Sequence, residues 1–320
     1  MKQAVVKLLS VFLAACMLLT LALPALAAGD GEDPNVYVNK GVYVADDYAD
    51  TDSTYVFDPA TGTLTVNDNG NGVPVNDEAA FYEWIKSIAP GVRTVYIPKT
   101  AALENFSMRE ASEEDIEFYG EDYQDVYPSN VFWKAFSYLQ NLERFEVEKG
   151  NTYFEAKDGV LYTRHCYNLV HYPAAKQDKT YQIDKWCLMG IYPYAFCNTR
   201  YLERLELPYS RTGNLNYLMP DDYAFSALDL DTGEEKESSI RQIVFYGTKE
   251  EFAKVVSQYE GNNAALQAEI VSKPTDFFHD VITYIRFNFF ITFRTMLDWL
   301  PYQRPVKTDL FPFNMQQTED

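Results

Sequence analysis

Short alternations of apolar and polar residues dominate the beginning of the chain. Val36-Tyr37-Val38, Val42-Tyr43-Val44, Tyr55-Val56-Phe57 and Leu64-Thr65-Val66 set β-branched or aromatic side chains two positions apart, the spacing of a half-buried strand. Asp58-Pro59-Ala60-Thr61-Gly62 and Asn67-Asp68-Asn69-Gly70-Asn71-Gly72 punctuate these runs and predict turns. Residues 28–75 are therefore expected to form an N-terminal β-hairpin segment. The second turn lacks the closing bidentate acid of a calcium loop, so it reads as a plain turn. From Ala79 to Ile88 the period changes, with Phe81, Trp84, Ile85 and Ile88 on one helical face before Pro90-Gly91 ends the run.

Another pattern then recurs. Val92, Val95 and Ile97 stand in an L-x-x-L-x-L spacing, as do Leu142, Phe145 and Val147, then Leu202, Leu205 and Leu207, then Ile240, Ile243 and Phe245. Ala135-Phe136 and Ala195-Phe196 each lie five residues before their triplet, and Ala224-Phe225 precedes Ile240 across a longer acidic loop. On a strand the last two triplet positions point to one side, and the first enters from the loop. Phe136, Phe196 and Phe225 would plug the interior behind. No such unit closes its own apolar face, so units are expected to stack in register between terminal caps. Residues 76–272 thus read as an irregular repeat array.

Beyond Pro274, Phe278, Val281, Ile282, Ile285, Phe289, Phe293, Met296, Trp299 and Leu300 share one helical face, while Asp276, Asp280, Thr283, Arg294 and Asp298 line the other. Residues 273–320 are read as an amphipathic helical tail. Its apolar side over 276–300 could pack on the end of the array, lie at a membrane surface or pair with another helix. The longest charge-free stretch is too short for a crossing.

Composition narrows the function. The 320 residues are 47% hydrophobic and 16% aromatic, enough to build a core and to exclude a disordered chain. With 27 basic against 47 acidic residues the formal charge is -20, which disfavours nucleic acid as a partner. Lys2 and Lys7, the apolar stretch from Leu8 to Leu23 and Ala25-Leu26-Ala27 predict a cleaved signal peptide over 1–27 and a secreted or cell-surface protein. Cys166, Cys187 and Cys197 then remain, too few for a disulfide framework. They read as buried thiols, with one bridge left open. Glu110 to Asp125 carries eight carboxylates and reads as a solvated loop. His165, His171 and His279 have no metal-ligand spacing, and no phosphate loop, nucleophile elbow or zinc motif occurs. No cofactor or metal is expected.

The repeats resemble those of BspA-like bacterial surface leucine-rich-repeat proteins. The match is best over Ile183 to Pro208, IDKWCLMGIYPYAFCNTRYLERLELP, and extends to the hairpin Asp158-Gly159-Val160-Leu161-Tyr162 with the strand Leu169-Val170-His171-Tyr172-Pro173. Phe245 to Phe252, followed by Gly261-Asn262-Asn263-Ala264-Ala265-Leu266, looks like the terminal unit of such arrays, and Gly62-Thr63-Leu64-Thr65-Val66 is similar to their leading β segment. The resemblance implies a short, irregular, β-rich leucine-rich-repeat solenoid. It also implies a non-catalytic protein that binds an extracellular protein or glycan; in this Tyr-rich chain Tyr138, Tyr167, Tyr201 and Tyr209, each near a predicted strand or its edge, are the candidate contact rings. Two alternatives remain: an extracellular polymer-degrading enzyme using paired carboxylates, and an assembly protein docked through its C-terminal helix.

Overall fold

The computed structural model describes residues 33–39, 52–67, 75, 77–103, 106–109, 125–128, 130–164, 168–185, 187, 190–212, 215–216 and 219–298. The leader 1–27, Val42–Val44, Gly70, the acidic run 110–124, His165, Cys166, Tyr167, Trp299 and Leu300 lie outside the described residues. Residues 1–36 and 37–320 are separate contact units. Of the first, Asp33–Val36 is described, where the Asn35 N–H donates to the Asp33 carboxylate at 2.9 Å.

The chain runs β1 (Val36–Asn39), β2 (Ser53–Asp58), β3 (Thr63–Asn67), α1 (Glu78–Ile88), β4 (Thr94–Ile97), β5 (Phe106–Arg109) and β6 (Asp125–Pro128). It continues through α2 (Val131–Tyr138), β7 (Arg144–Val147), β8 (Phe154–Lys157), β9 (Val160–Thr163), β10 (Asn168–His171), β11 (Thr180–Gln182), β12 (Gly190–Ile191) and β13 (Arg204–Glu206). It ends with β14 (Arg211–Thr212), β15 (Leu215–Asn216), β16 (Met219–Pro220), β17 (Gln242–Tyr246), α3 (Lys249–Val256), α4 (Asn263–Gln267), β18 (Glu269–Lys273) and α5 (Phe277–Asp298).

The molecule is β-rich and its sheets are open. One sheet has the order β1-β2-β3-β4-β7, a second β11-β13-β17-β18, and a third β16-β12-β10-β9-β8. The triplets set the register of the first two. Leu64, Val95 and Phe145 lie opposite one another along parallel β3, β4 and β7. Tyr181, Leu205, Ile243 and Ile270 do so along parallel β11, β13, β17 and β18. One carbonyl before each strand makes the lateral step. Gly62 O accepts from Arg93 and Thr94, Arg93 O from Glu143 and Arg144, Lys179 O from Glu203 and Arg204, and Glu203 O from Arg241 and Gln242.

An inserted hairpin separates the two parallel ladders. Asp158 (φ 52°) and Gly159 (φ 74°) join Lys157 to its partner Val160, the two-residue turn that favours Asp-Gly. A Cβ on Gly159 would lie 2.9 Å from Arg144 Cβ, so the close approach of the hairpin to β7 needs glycine. β10 follows, antiparallel to β9 and parallel to β12.

The core falls into two clusters. Val92, Val95, Ile97, Phe136, Leu142 and Phe145 belong to the first, with Val147 packed against it half-buried. Phe196, Leu202, Leu205, Leu207, Phe225, Ile240, Ile243 and Phe245 belong to the second. Phe196 stacks on Phe225 with ring centres 5.8 Å apart, and Tyr172 stacks on Phe196 at 5.5 Å. Phe136 instead meets His171 edge-on at 5.9 Å. The three phenylalanines therefore do not form one row, because His171 and Tyr172 at the end of β10 make the link. The Ala-Phe steps also differ locally. Ala135-Phe136 sits in helix α2, whereas Tyr194 and Tyr223, just before the other two, take φ of 59°, which interrupts helical backbone.

Helix α5 corrects an expectation. Its polar line faces the body: Thr283 is buried, and Tyr209 donates to the Asp280 carboxylate and, at 3.3 Å, to Asp276 O. Phe277, Phe278, Val281, Tyr284, Ile285 and Phe289 are exposed, so over 277–289 packing of these apolar side chains on the end of the array is not what holds the helix. The ring of Tyr209, its centre 5.1 Å from those of Tyr246 and His279, carries the hydroxyl that selects the polar side instead.

Candidate functional site

Four successive turns, each just before a ladder strand, open onto one groove of about 630 Å³. Gln140 comes from the turn before β7, Gln177 and Lys179 from that before β11, and Thr199, Arg200, Tyr201 and Glu203 from that before β13. The loop before β17 closes the wall with Lys236, Glu237, Ser238, Ser239 and Arg241. Because the turns repeat in register, side chains far apart in sequence become neighbours.

That loop is the long acidic insertion of the last unit, and it is fastened at three places. At its base Asn198 donates to Leu228 O and accepts from Leu228 N, both at 2.9 Å. At its exit Ser239 Oγ donates to Thr199 O at 2.6 Å. At its tip Asp231 reaches back to the first helices, with Lys86 Nζ at 2.7 Å and the Tyr138 hydroxyl at 2.9 Å. Lys86 holds the Asp231 carboxyl below its ordinary value, and Asp231 and Glu83 raise that of Lys86. Burial, then Asp231, pushes the Tyr138 phenol up to about 12.

Four cations line the groove. Lys179 pairs with Glu203 at 2.8 Å, Lys236 with Asp229 at 3.2 Å and Arg241 with Glu237 at 2.8 Å. Arg200 has no carboxylate partner among the described residues. Its Nη1 donates to Gln140 O at 3.2 Å and Asn141 Oδ1 at 3.1 Å, and its guanidinium carbon lies 5.4 Å from the centre of the Tyr201 ring. The arginine is thus aimed from one side while its other N–H groups stay available.

The tyrosines singled out from the sequence are dispersed. Tyr201 lines the groove, Tyr138 grips the insertion, Tyr209 holds α5, and Tyr167 lies outside the described residues. Sequence reasoning missed Arg200, Gln177, Lys179 and Arg241. Their signal was position, since each stands within four residues before a strand of the second ladder. His171 is buried edge-on to Phe136 and Phe145. Cys187 and Cys197 are buried, Cys187 with its thiol donating to Gly190 O at 3.4 Å, and burial pushes the Cys197 thiol up to about 11. Among the described residues no cluster of His, Cys, Asp and Glu could hold a metal, and no helix is long and apolar enough to cross a membrane.

No family model and no curated protein matches this chain. It is similar to the solved structure of the pneumococcal vaccine antigen PcpA at 17% identity and a TM-score of 0.27, covering 58% of this chain and 57% of that one. It is also similar to a leucine-rich repeat protein from Eubacterium ventriosum at 15% identity and 0.31, covering 75% of this chain and 73% of that one. A leucine rich cell surface protein from Faecalibacterium prausnitzii is similar at 13% identity and 0.24, with 75% of this chain and 96% of that one covered.

Proposed function

We propose that this chain is an exported, non-catalytic surface protein of the BspA-like leucine-rich-repeat kind, a short irregular solenoid that binds an extracellular protein or glycan through the groove. The parallel ladders of β3-β4-β7 and β11-β13-β17-β18 support the solenoid. The repeated Ala-Phe steps and the Asp158-Gly159 hairpin support the family. One observation carries the binding role: an insertion fastened at its base, exit and tip forms one wall of a groove whose other wall is repeat turns. A fastened loop keeps a surface preorganised, so less ordering entropy is lost on association.

The test is a panel of extracellular proteins and glycans probed with wild type and Gln177→Trp. Gln177 is exposed and lines the groove, so an indole there occupies the groove without disturbing the core. Binding to at least one panel member should fall about tenfold or more in the variant, the scale of a blocked contact surface. Equal binding by both proteins, or none across the panel, overturns the groove as the recognition site.

A further inference from the structure

Resting on the groove as the recognition surface, we infer that its ligand is a short saccharide bearing a carboxylate, and that Arg200 is the residue that reads the carboxylate. The other lining cations spend their charge on Glu203, Asp229 and Glu237. Arg200 is exposed, is oriented by Gln140 O and Asn141 Oδ1, and keeps Nη2 and Nε without a protein acceptor among the described residues. A guanidinium fork fixed from one side suits a planar anion approached from the other.

The rest of the lining points to a sugar rather than a peptide. Extended peptides add to an open sheet edge or seat apolar side chains in pockets. Here the turn carbonyls of Lys179 and Glu203 each already accept two N–H groups from the next unit. Gln177 and Ser238 give polar groups, Ser239, whose hydroxyl already donates to Thr199 O, can accept, and Ala227 is the one aliphatic lining residue beside the Tyr201 ring. A hydroxyl-rich ligand can exchange its water hydrogen bonds for these amides and hydroxyls, whereas an apolar ligand cannot. The chain's charge of -20 repels long polyanions, which limits the ligand to a short oligomer.

Calorimetric titration of the purified protein with trigalacturonate tests the inference, beside galactotriose as the neutral counterpart, triglutamate and inorganic phosphate. Trigalacturonate should bind, galactotriose should bind at least about tenfold more weakly, and Arg200→Ala should weaken trigalacturonate by a similar factor, the scale of a lost charge-assisted contact. Arg200→Lys should recover part of the loss, and Arg144→Ala, on the surface of β7, should lose nothing. No binding of trigalacturonate, equal binding of galactotriose, or unchanged affinity in Arg200→Ala overturns the assignment. Phosphate binding as tightly would mark a free-anion site, and triglutamate binding as tightly a peptide site, each overturning the saccharide. If Gln177→Trp abolishes binding of a panel ligand while Arg200→Ala does not, the groove stands and the Arg200 assignment alone falls.

Discussion

Individual side chains make the junctions that the repeat pattern does not specify. Asn151 is buried and uses its whole amide. Nδ2 donates to Pro98 O and Ala101 O, and Oδ1 accepts from Tyr153 and Phe154 N–H, all at 2.8 Å. That satisfies all four hydrogen-bonding positions of the group. Tyr223 stacks flat on Tyr194 with centres 5.1 Å apart, and Gly261 lies so close to it that a Cβ there would stand 2.1 Å from the ring. His171 is the opposite case, buried with neither ring nitrogen hydrogen-bonded among the described residues. Burial pushes its pKa down to about 3, whereas the unfolded chain titrates near 6.5. Unfolded molecules therefore take up a proton that folded ones refuse. This stability margin is complete above about pH 6.5 and shrinks as pH falls toward about 3. A phenylalanine of similar shape removes the desolvated nitrogens. Thermal melts of wild type and His171→Phe at about pH 7.5 and 4.5 should diverge on acidification, with the variant losing on the order of 2 kcal/mol less stability. Parallel losses would show that His171 contributes nothing to acid sensitivity.

Among the elements, the insertion between Leu228 and Ser239 is the one whose placement is least expected from its sequence. Its sequence reads only as a longer acidic loop interrupting the last repeat, yet its tip bonds to α1 and α2, more than ninety positions away. Lys86 and Asp231 are both partly exposed, and such pairs contribute about 1 kcal/mol or less. Lys86→Ala should leave global stability within about that margin while hydrogen exchange of the Asp229–Glu235 amides accelerates. The carboxylate contribution holds above the ordinary Asp value of 3.8 and is lost as pH falls through the depressed value of Asp231, so the same amides in wild type should exchange faster, relative to their intrinsic rates, only once the pH is taken below that ordinary value. Unchanged exchange in the variant would mean that Asn198 and Ser239 alone hold the loop. Helix α3 carries a local sign that reading 245–252 as a terminal unit leaves unused. Thr248 and Glu251 form a reciprocal cap, with Glu251 also bridging to buried Arg211, and Thr-x-x-Glu before an apolar run is its sequence sign.

For the molecule as a whole, stability is distributed in neighbours. Each ladder strand buries its triplet against adjoining strands and the rings behind them, as Phe145 does against Phe136 and His171, and the inserted hairpin separates two core clusters. Damage should therefore spread within a cluster before it crosses β8–β10. Leu205 is fully buried in the middle of the second ladder. Leu205→Ala should cost about 2–5 kcal/mol. Exchange should accelerate first across β11, β13, β17 and β18, with β2, β3 and β4 protected to higher denaturant. Uniform acceleration throughout the chain would show one indivisible core.

The apolar triplets, the Asp158-Gly159 turn and the α1 pattern were written in the sequence, because local backbone preference and side-chain period act over a few residues. Strand register followed from the same triplets, since a one-residue slip would turn Leu205 or Ile243 to solvent. Only tertiary structure decided the rest. The break in the phenylalanine row at His171, the outward apolar face of α5, the long reach of Asp231 and the convergence of four turns around Arg200 all depend on contacts between residues remote in sequence. Such contacts are selected by the packing of the finished chain, which no local pattern encodes.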